Sequence, residues 1–455
     1  MLASTVMLSF AAVPAFAQLD TGTGTFASSK INITPNSDFG APPLPKPEAL
    51  VPQVNDYLQH YGTALLLDNT NEFLGVVSGP HQGSTNTGQY ALEWDQDWNI
   101  LAGIPGLQTH AIAVGRYGNL AGNLFGDNGF NQSQEIYGAG GNVAVHLVFF
   151  YAEETLAHGR VNIAAGRAPM ENDFDSNPLN CNFMNNSLCG NPKGVTDNTA
   201  NASYPDAQWF TRFRVRPVSN IYVQSGIYFT ENNTYSATNG YRSGFHLDSS
   251  HIDGEAFPIE AGYEPTFGRD KLPGHYKIGA MYENTNHDTW ELPTLPPESR
   301  KGGTQAWAQF DQMLVRQGPG ATDGIIVTGD YVHNDPRYSL RADQFILAGI
   351  DRDFWKARPL DTIGVLFAYQ TVSGQLGKLQ GEEEELGLPI TGSFGGVPNA
   401  AGIQTHSINL EVNYQIHVFR GVTFAPDFQY FIRPNAEAQL PSAALIGFKS
   451  HIELF

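Results

Sequence analysis

Positive charge is scarce in this 455-residue chain, where 25 Lys and Arg stand against 45 Asp and Glu for a formal net charge of −20. That balance excludes a protein built to grip nucleic acid, whose phosphates demand a basic face. It also argues against adhesion to anionic headgroups through the overall field. Charged residues of either sign are only 15% of the chain. After the first twenty positions no apolar run approaches the roughly 18 residues that a membrane helix requires. Mean hydropathy is −0.26. Such a value does not exclude the membrane, because the strands of a transmembrane barrel alternate apolar-out with polar-in.

Catalytic signatures are missing too. No HExxH, GxSxG or Walker pattern occurs. Gly138, Gly140 and Gly141 precede a strand-like segment, not a helix, so they do not read as a nucleotide loop. Carboxylates are plentiful, but a glycosidase needs two of them about 5–10 Å apart across a sugar, and sequence does not give that distance. We therefore expect no enzyme, no cofactor and no resident metal. His246, Asp248, His251 and Asp253 are spaced irregularly in a presumed loop. Glu382 to Glu385 read as a solvated acidic loop.

Cysteine is limited to Cys181 and Cys189, in a polar, Asn-rich segment. Their spacing suits a small disulfide-closed loop in an oxidising compartment. A metal pair is the rival reading, weakened by the lack of a CxxC spacing and of neighbouring histidines. Met1 to Ala17 read as a signal peptide, with Ala15-Phe16-Ala17 before the cut, although no Lys or Arg precedes the apolar core. Residues 18–61 read as a Pro- and Gly-rich arm ending in a short helix over Val54 to Tyr61.

From Thr63 onward, period-two alternation dominates. Ile408, Leu410, Val412, Tyr414, Ile416 and Val418 share one face, opposite Asn409, Glu411, Asn413, Gln415 and His417. Tyr90, Leu92, Trp94 and Trp98 oppose Ala91, Glu93, Asp95 and Asp97. A soluble sandwich with one wet face would also alternate. Two details favour a membrane barrel: Trp and Tyr cap the apolar faces as in aromatic girdles, and the opposite faces mix carboxylates with amides, which a packed core does not tolerate. Counting such runs gives about sixteen strands, an even number as in bacterial barrels.

The connections alternate in length. Thr155–His158, Pro217–Asn220, Asp351–Arg358 and Val418–Gly421 are brief, while Asn69–Gly88, Ala168–Ala207, Asn232–Glu255, Asn286–Lys301 and Thr371–Ile403 are long. Tight periplasmic turns and extended outer loops produce this pattern. The expected architecture is an all-β transmembrane antiparallel barrel over residues 62–455, with residues 168–207 as a constriction loop, in the bacterial outer membrane.

The Gly166-Arg167 pair, Asn177 to Gly190 (NPLNCNFMNNSLCG), the strand pair Gln208 to Phe229, Phe424 to Pro434 (FAPDFQYFIRP) and Leu445-Ile446-Gly447 resemble the carbohydrate-selective porin B (OprB-like) family of outer-membrane channels. The likeness covers most of the chain from about Tyr61. It implies a sixteen-stranded barrel and passive uptake of glucose and related sugars. One departure concerns the C-terminus: Phe455 is present, but Ile446, Phe448, Ile452 and Leu454 have the opposite parity, and a bulge near His451 would restore the register.

A diffusion channel needs a constriction whose groups partly replace the solute's hydration. Arg212, Arg214 and Arg216 alternate with Phe213 and Val215. An Arg facing lipid at mid-membrane costs roughly 2–4 kcal/mol, so the three guanidiniums are expected to form a ladder on the lumen wall. Glu171, Asp173 and Asp175 open the long segment that supplies the counter-charges. Glu93, Asp95 and Asp97, with Glu411 and Asn413, line facing walls. The family pattern adds Arg167, although strict alternation from Val161, Ile163 and Ala165 places it outward. Expected partners are small carbohydrates, outer-membrane lipid and lipopolysaccharide, and the barrel-assembly machinery, for a monomer or homotrimer. A secreted all-β carbohydrate-binding protein or enzyme, or an adhesin barrel with a closed lumen, are the alternatives.

Overall fold

The computed structural model describes residues 49–127, 130–131, 133–136, 143–185, 193–196, 198–232, 243–292, 299–392 and 400–455. The signal peptide reading and most of the arm therefore lie outside the described residues, as do Cys189 and the Gly138–Gly141 segment.

One antiparallel sheet closes on itself. Its first half comprises β1 (Thr63–Ser78), β2 (Gly83–Asp97), β3 (Leu107–Gly118), β4 (His146–Leu156), β5 (Val161–Ala168), β6 (Gln208–Val218), β7 (Ile221–Glu231) and β8 (Ile252–Tyr263). A two-residue strand, β9 (Thr266–Phe267), sits in the turn that follows. The second half comprises β10 (Leu272–Asp288), β11 (Ser299–Arg316), β12 (Gly324–Asn334), β13 (Arg341–Arg352), β14 (Thr362–Val372), β15 (His406–Phe419), β16 (Val422–Ile432) and β17 (Ala443–Glu453). The sixteen long strands pair in chain order, and β1 pairs with both β2 and β17. Closure satisfies every strand's backbone groups and leaves no edge, which a wall in hydrocarbon requires.

Alternation fixes which side faces lipid. In β15, Ser407, Asn409, Glu411 and Asn413 are buried toward the interior, while Leu410 and Val412 are exposed on the outside. Tyr90, Leu92, Phe213, Ile278, Val365 and Ile446 extend the exposed apolar surface around the barrel. At one end the strands are joined by tight turns, such as Ala157–Gly159 between β4 and β5. Leu50 and the C-terminal residues lie at this end as well: Leu50 N donates to Glu453 O (3.0 Å) and Leu67 N to Phe455 O (2.9 Å). This is the periplasmic end by the rule that inner turns are short and outer loops long.

Four expectations need correction. Residues 69–88, read as a long loop, are the facing halves of β1 and β2, joined through residues 79–82. Polar residues on both faces hid the strand. Asp68, Thr70 and Glu72 point inward, while outward Asn71 donates to Tyr117 Oη (3.1 Å) and Asn69 to Gln89 O (2.9 Å). No bulge occurs at His451. β17 stays in unbroken register with β1 from Ile446 to Glu453, so Lys449, His451 and Glu453 remain on the inner parity. The acidic run at Glu382–Glu385 ends a helix (Gly374–Glu385), capped by Ser373, with Leu376, Leu379 and Glu383 buried. The expected N-terminal helix is shorter, α-helical only over Gln53–Leu58 and then 3-10 over Gln59–Tyr61.

Gly166 has φ +145°, and a Cβ there would lie 2.5 Å from Tyr151 Cα. Glycine alone tolerates that conformation. At this point strict alternation fails, and Arg167 is buried instead of facing lipid. Gly166→Ala should lower the stability of the folded barrel by about 1–3 kcal/mol, the usual cost of forced backbone strain, read as a shifted urea midpoint for loss of heat-modifiable gel mobility. An unshifted midpoint would remove the constraint.

Candidate channel constriction

Between β5 and β6, the described residues 169–185, 193–196 and 198–207 turn into the barrel. Glu171 Oε1 accepts from Tyr204 N (2.7 Å), tying the loop's first and last parts together. Met170, Phe174, Val195 and Tyr204 from the loop pack in one cluster with Phe149, Phe210, Tyr228, Trp307 and Val332 of the wall. The loop's polar groups then find partners around the circumference. Asp175 N donates to Glu260 Oε2 on β8 (2.9 Å). Gln309 Nε2 on β11 donates to Asp175 O (3.1 Å). Asn177 Nδ2 reaches Thr328 Oγ1 on β12 (3.2 Å). Met184 N and Asn185 N both donate to Glu411 on β15 (2.7 and 2.9 Å). Asn413 Nδ2 donates to Asn182 O (2.7 Å), and Lys449 Nζ on β17 to Cys181 O (3.2 Å). A segment bonded to walls this far apart lies across the lumen.

A belt of ionisable side chains, acid next to base, runs from the wall into this loop. Asp95 on β2 and His110 on β3 are direct cross-strand partners, and the His110 ring nitrogen Nδ1 meets the Asp95 carboxylate. His110 Nε2 lies 3.4 Å from Glu153 Oε1 on β4. Glu153 Oε2 is 3.3 Å from Arg212 Nη2 on β6, and Arg212 Nε is 3.0 Å from Asp173 Oδ1 in the loop. The same Asp173 oxygen is 3.3 Å from Arg214 Nη2. Amide and phenol groups fill the remaining positions. Arg212 Nη1 donates to Asn162 Oδ1, Arg214 Nε to Gln224 Oε1 (2.8 Å), and Tyr228 Oη to Asp173 Oδ2 (2.9 Å). All the charged members are buried, where unpaired charge is costly and paired charge is tolerated.

Not every expected residue joins this belt. Arg216 pairs with Glu264 (2.7 Å) and donates to Ser219 O beside a short turn, because the β6–β7 register shifts between Val215 and Val218. The ladder thus has two lumenal rungs, and the third belongs to the periplasmic rim. Asp97 accepts from Asn99 N and caps the short helix Trp98–Ala102. Glu93 is buried on the inner face of β2. Arg167 forms an ion pair with Glu231 (2.7 Å), donates to Ala207 O (2.8 Å) and stacks on Trp209, 5.3 Å from the ring centroid. It braces the outer end of the loop, away from the belt. Among the described residues no His, Cys, Asp and Glu cluster suits a metal, including around His246 to Asp253.

Sequence reasoning missed His110, Glu153, Asn162, Gln224 and Glu260. Their one signal is inward parity on an alternating strand, shared with many residues that touch nothing functional. A second inward loop, between β3 and β4, was also missed. Phe130 lies under Arg341 (5.0 Å), Gln134 Nε2 donates to Glu72 O (3.1 Å), and Asn131 meets Gln370 (3.1 Å) and Asn409 (3.0 Å).

Replacing one belt member leaves its partners buried and unpaired, at a cost of about 3–5 kcal/mol. Arg212→Gln should therefore destabilise the folded barrel strongly, and Arg212→Gln with Asp173→Asn should be less destabilised than the sum of the single variants. Additive losses in urea unfolding would mean that the two side chains do not act as a pair.

The model of the carbohydrate-selective porin, OprB family, matches residues 81–454. Porin B of Pseudomonas aeruginosa is 24% identical over 381 residues, 80% of each chain. The putative porin QuiX of Acinetobacter baylyi is 25% identical over 374 residues, 81% of this chain and 83% of that protein. In fold, the high-pH structure of Pseudomonas putida OprB aligns with a TM-score of 0.80 at 21% identity, covering 90% of this chain and 99% of that one. With a closed barrel of sixteen long strands, an apolar outer wall and a polar interior crossed by an inward loop, the chain belongs to the OprB family of carbohydrate-selective porins of the outer membrane.

Proposed function

We propose that this porin passes small neutral sugars, glucose among them, beside the inward loop, which sets its narrowest part and is anchored there by Arg212, Arg214 and Asp173. The observation that carries the reading is the compensated belt, in which each guanidinium faces a carboxylate from another strand or from the loop. Such a belt holds the loop across the lumen while cancelling its own charges, which favours a polar uncharged solute over an ion. Phe210 and Tyr228 stack beside it, with ring centroids 5.1 Å apart, and, buried under the loop, they support the belt from within the wall. Glu171, Asp175, Glu411 and Asn413 act by holding the loop, and Glu93, Asp95 and Arg167 by bracing the wall. A Cys181–Cys189 disulfide and export through the Met1–Ala17 signal peptide belong to the same reading, as does passive diffusion without an enzymatic step.

Reconstitution in a planar bilayer tests the proposal. Stable conductance should fall saturably as glucose is added, and an uncharged non-sugar of similar size should have a weaker effect. Arg214→Gln should loosen the loop's anchorage and weaken the glucose response several-fold in the channels that fold. Equal responses to both solutes would remove the sugar site. Deleting Asn177 to Lys193 should raise conductance, and an unchanged value would show that the loop does not set the narrowest part. Cys181→Ser should make the loop more susceptible to protease if the disulfide forms.

A further inference from the structure

On the outer wall, next to the turn between β8 and β10, lies an apolar groove of about 470 Å³. Strand register gives it its shape. Tyr263, Tyr276 and Phe310 pair across β8, β10 and β11 to form an aromatic row nearest the turn. One step farther into the wall, Ala261, Ile278 and Ala308 form the next row by the same pairing. Two alanines beside one isoleucine leave a depression next to the large side chains of the aromatic row, and the row beyond, Ile259, Ala280 and Ala306, continues it. Phe267 stands edge-on to Tyr276 at 6.4 Å and closes the end of the aromatic row.

The turn below carries Arg269 and Lys271, both exposed. Neither forms an ion pair among the described residues, and exposed Asp270 between them leaves one net positive charge. The aromatic row marks the level where hydrocarbon gives way to headgroups, and this is the periplasmic end. The cations therefore stand at the height of lipid phosphates, where each basic side chain contributes about 1 kcal/mol toward an anionic surface.

We propose that the groove binds one anionic phospholipid of the periplasmic leaflet, with an acyl chain over Ala261 and Ala308 and its phosphate between Arg269 and Lys271. A lipid fits better than a protein partner because the groove lies on the lipid-facing wall and the turn that follows β8 carries the cations. Burial of the chain supplies affinity in proportion to apolar area, and the rim supplies headgroup preference. The site is on the outside of the barrel and is independent of the solute path.

The test uses the full chain, purified in mild detergent and mixed with phosphatidylglycerol or phosphatidylethanolamine before native mass spectrometry. One retained phosphatidylglycerol per chain is expected, at several-fold higher occupancy than phosphatidylethanolamine. Arg269→Gln with Lys271→Gln should abolish that preference. Ala261→Phe with Ala308→Phe should remove the retained lipid of either kind while the barrel keeps its heat-modifiable mobility. Equal retention of both lipids by the parent chain would overturn the proposal, as would retention unaffected by filling the groove. A dimer that dissociates on filling would overturn it too, by assigning the groove to a second copy of the chain.

Discussion

Everything in this barrel depends on one requirement, that no backbone N–H or C=O in the hydrocarbon be left without a partner. The strands meet it only by closing, and closure rests on the pairing of β1 with β17, whose partners are nearly 400 positions apart in the chain. That seam is regular from Ile446 to Glu453, and the chain's last residues extend it through the Leu67–Phe455 and Leu50–Glu453 hydrogen bonds. A bulge at His451 would have opened a gap where the ring closes.

Once the wall is closed, the interior faces a second constraint. Inward positions carry Arg, Asp, Glu and His, and burying them beneath a loop is tolerated where each meets an opposite charge or hydrogen-bond donors and acceptors that satisfy it. Asp173 answers that need by contacting Arg212 and Arg214 together, while Glu153 links Arg212 back to His110 and Asp95. Wall and loop are thus mutually dependent: without the loop the guanidiniums lose Asp173, and without the wall the loop's own amides lose Glu260 and Glu411. The same arrangement that holds the loop in place gives the interior its balanced polarity.

Much of the architecture was legible beforehand. Alternation in β15 and β6 marked the strands and their lipid faces, because a single residue step moves a side chain to the opposite face. Where a strand carried polar residues on both faces, as at Asp68 to Glu72, the pattern was lost and a loop was read instead. Where one glycine departs from extended geometry, as at Gly166, parity failed and only family resemblance pointed to Arg167. The candidate site was legible only in part: Arg212, Arg214 and Asp173 were singled out and meet, whereas Arg216 and Asp97 satisfy local needs at a turn and a helix cap.

By itself, the sequence determined properties that depend on near neighbours or on composition: strand period, outward apolar faces, tight turns against long loops, and an overall surplus of acid. Tertiary structure alone decided which charges meet. His110, Glu153, Arg212 and Asp173 come from four separate stretches of chain, and their contacts depend on strand register and on the path of a loop through the lumen. Coulombic pairing in a buried space is set by distances of a few ångströms, and no local pattern fixes those distances across a closed sheet.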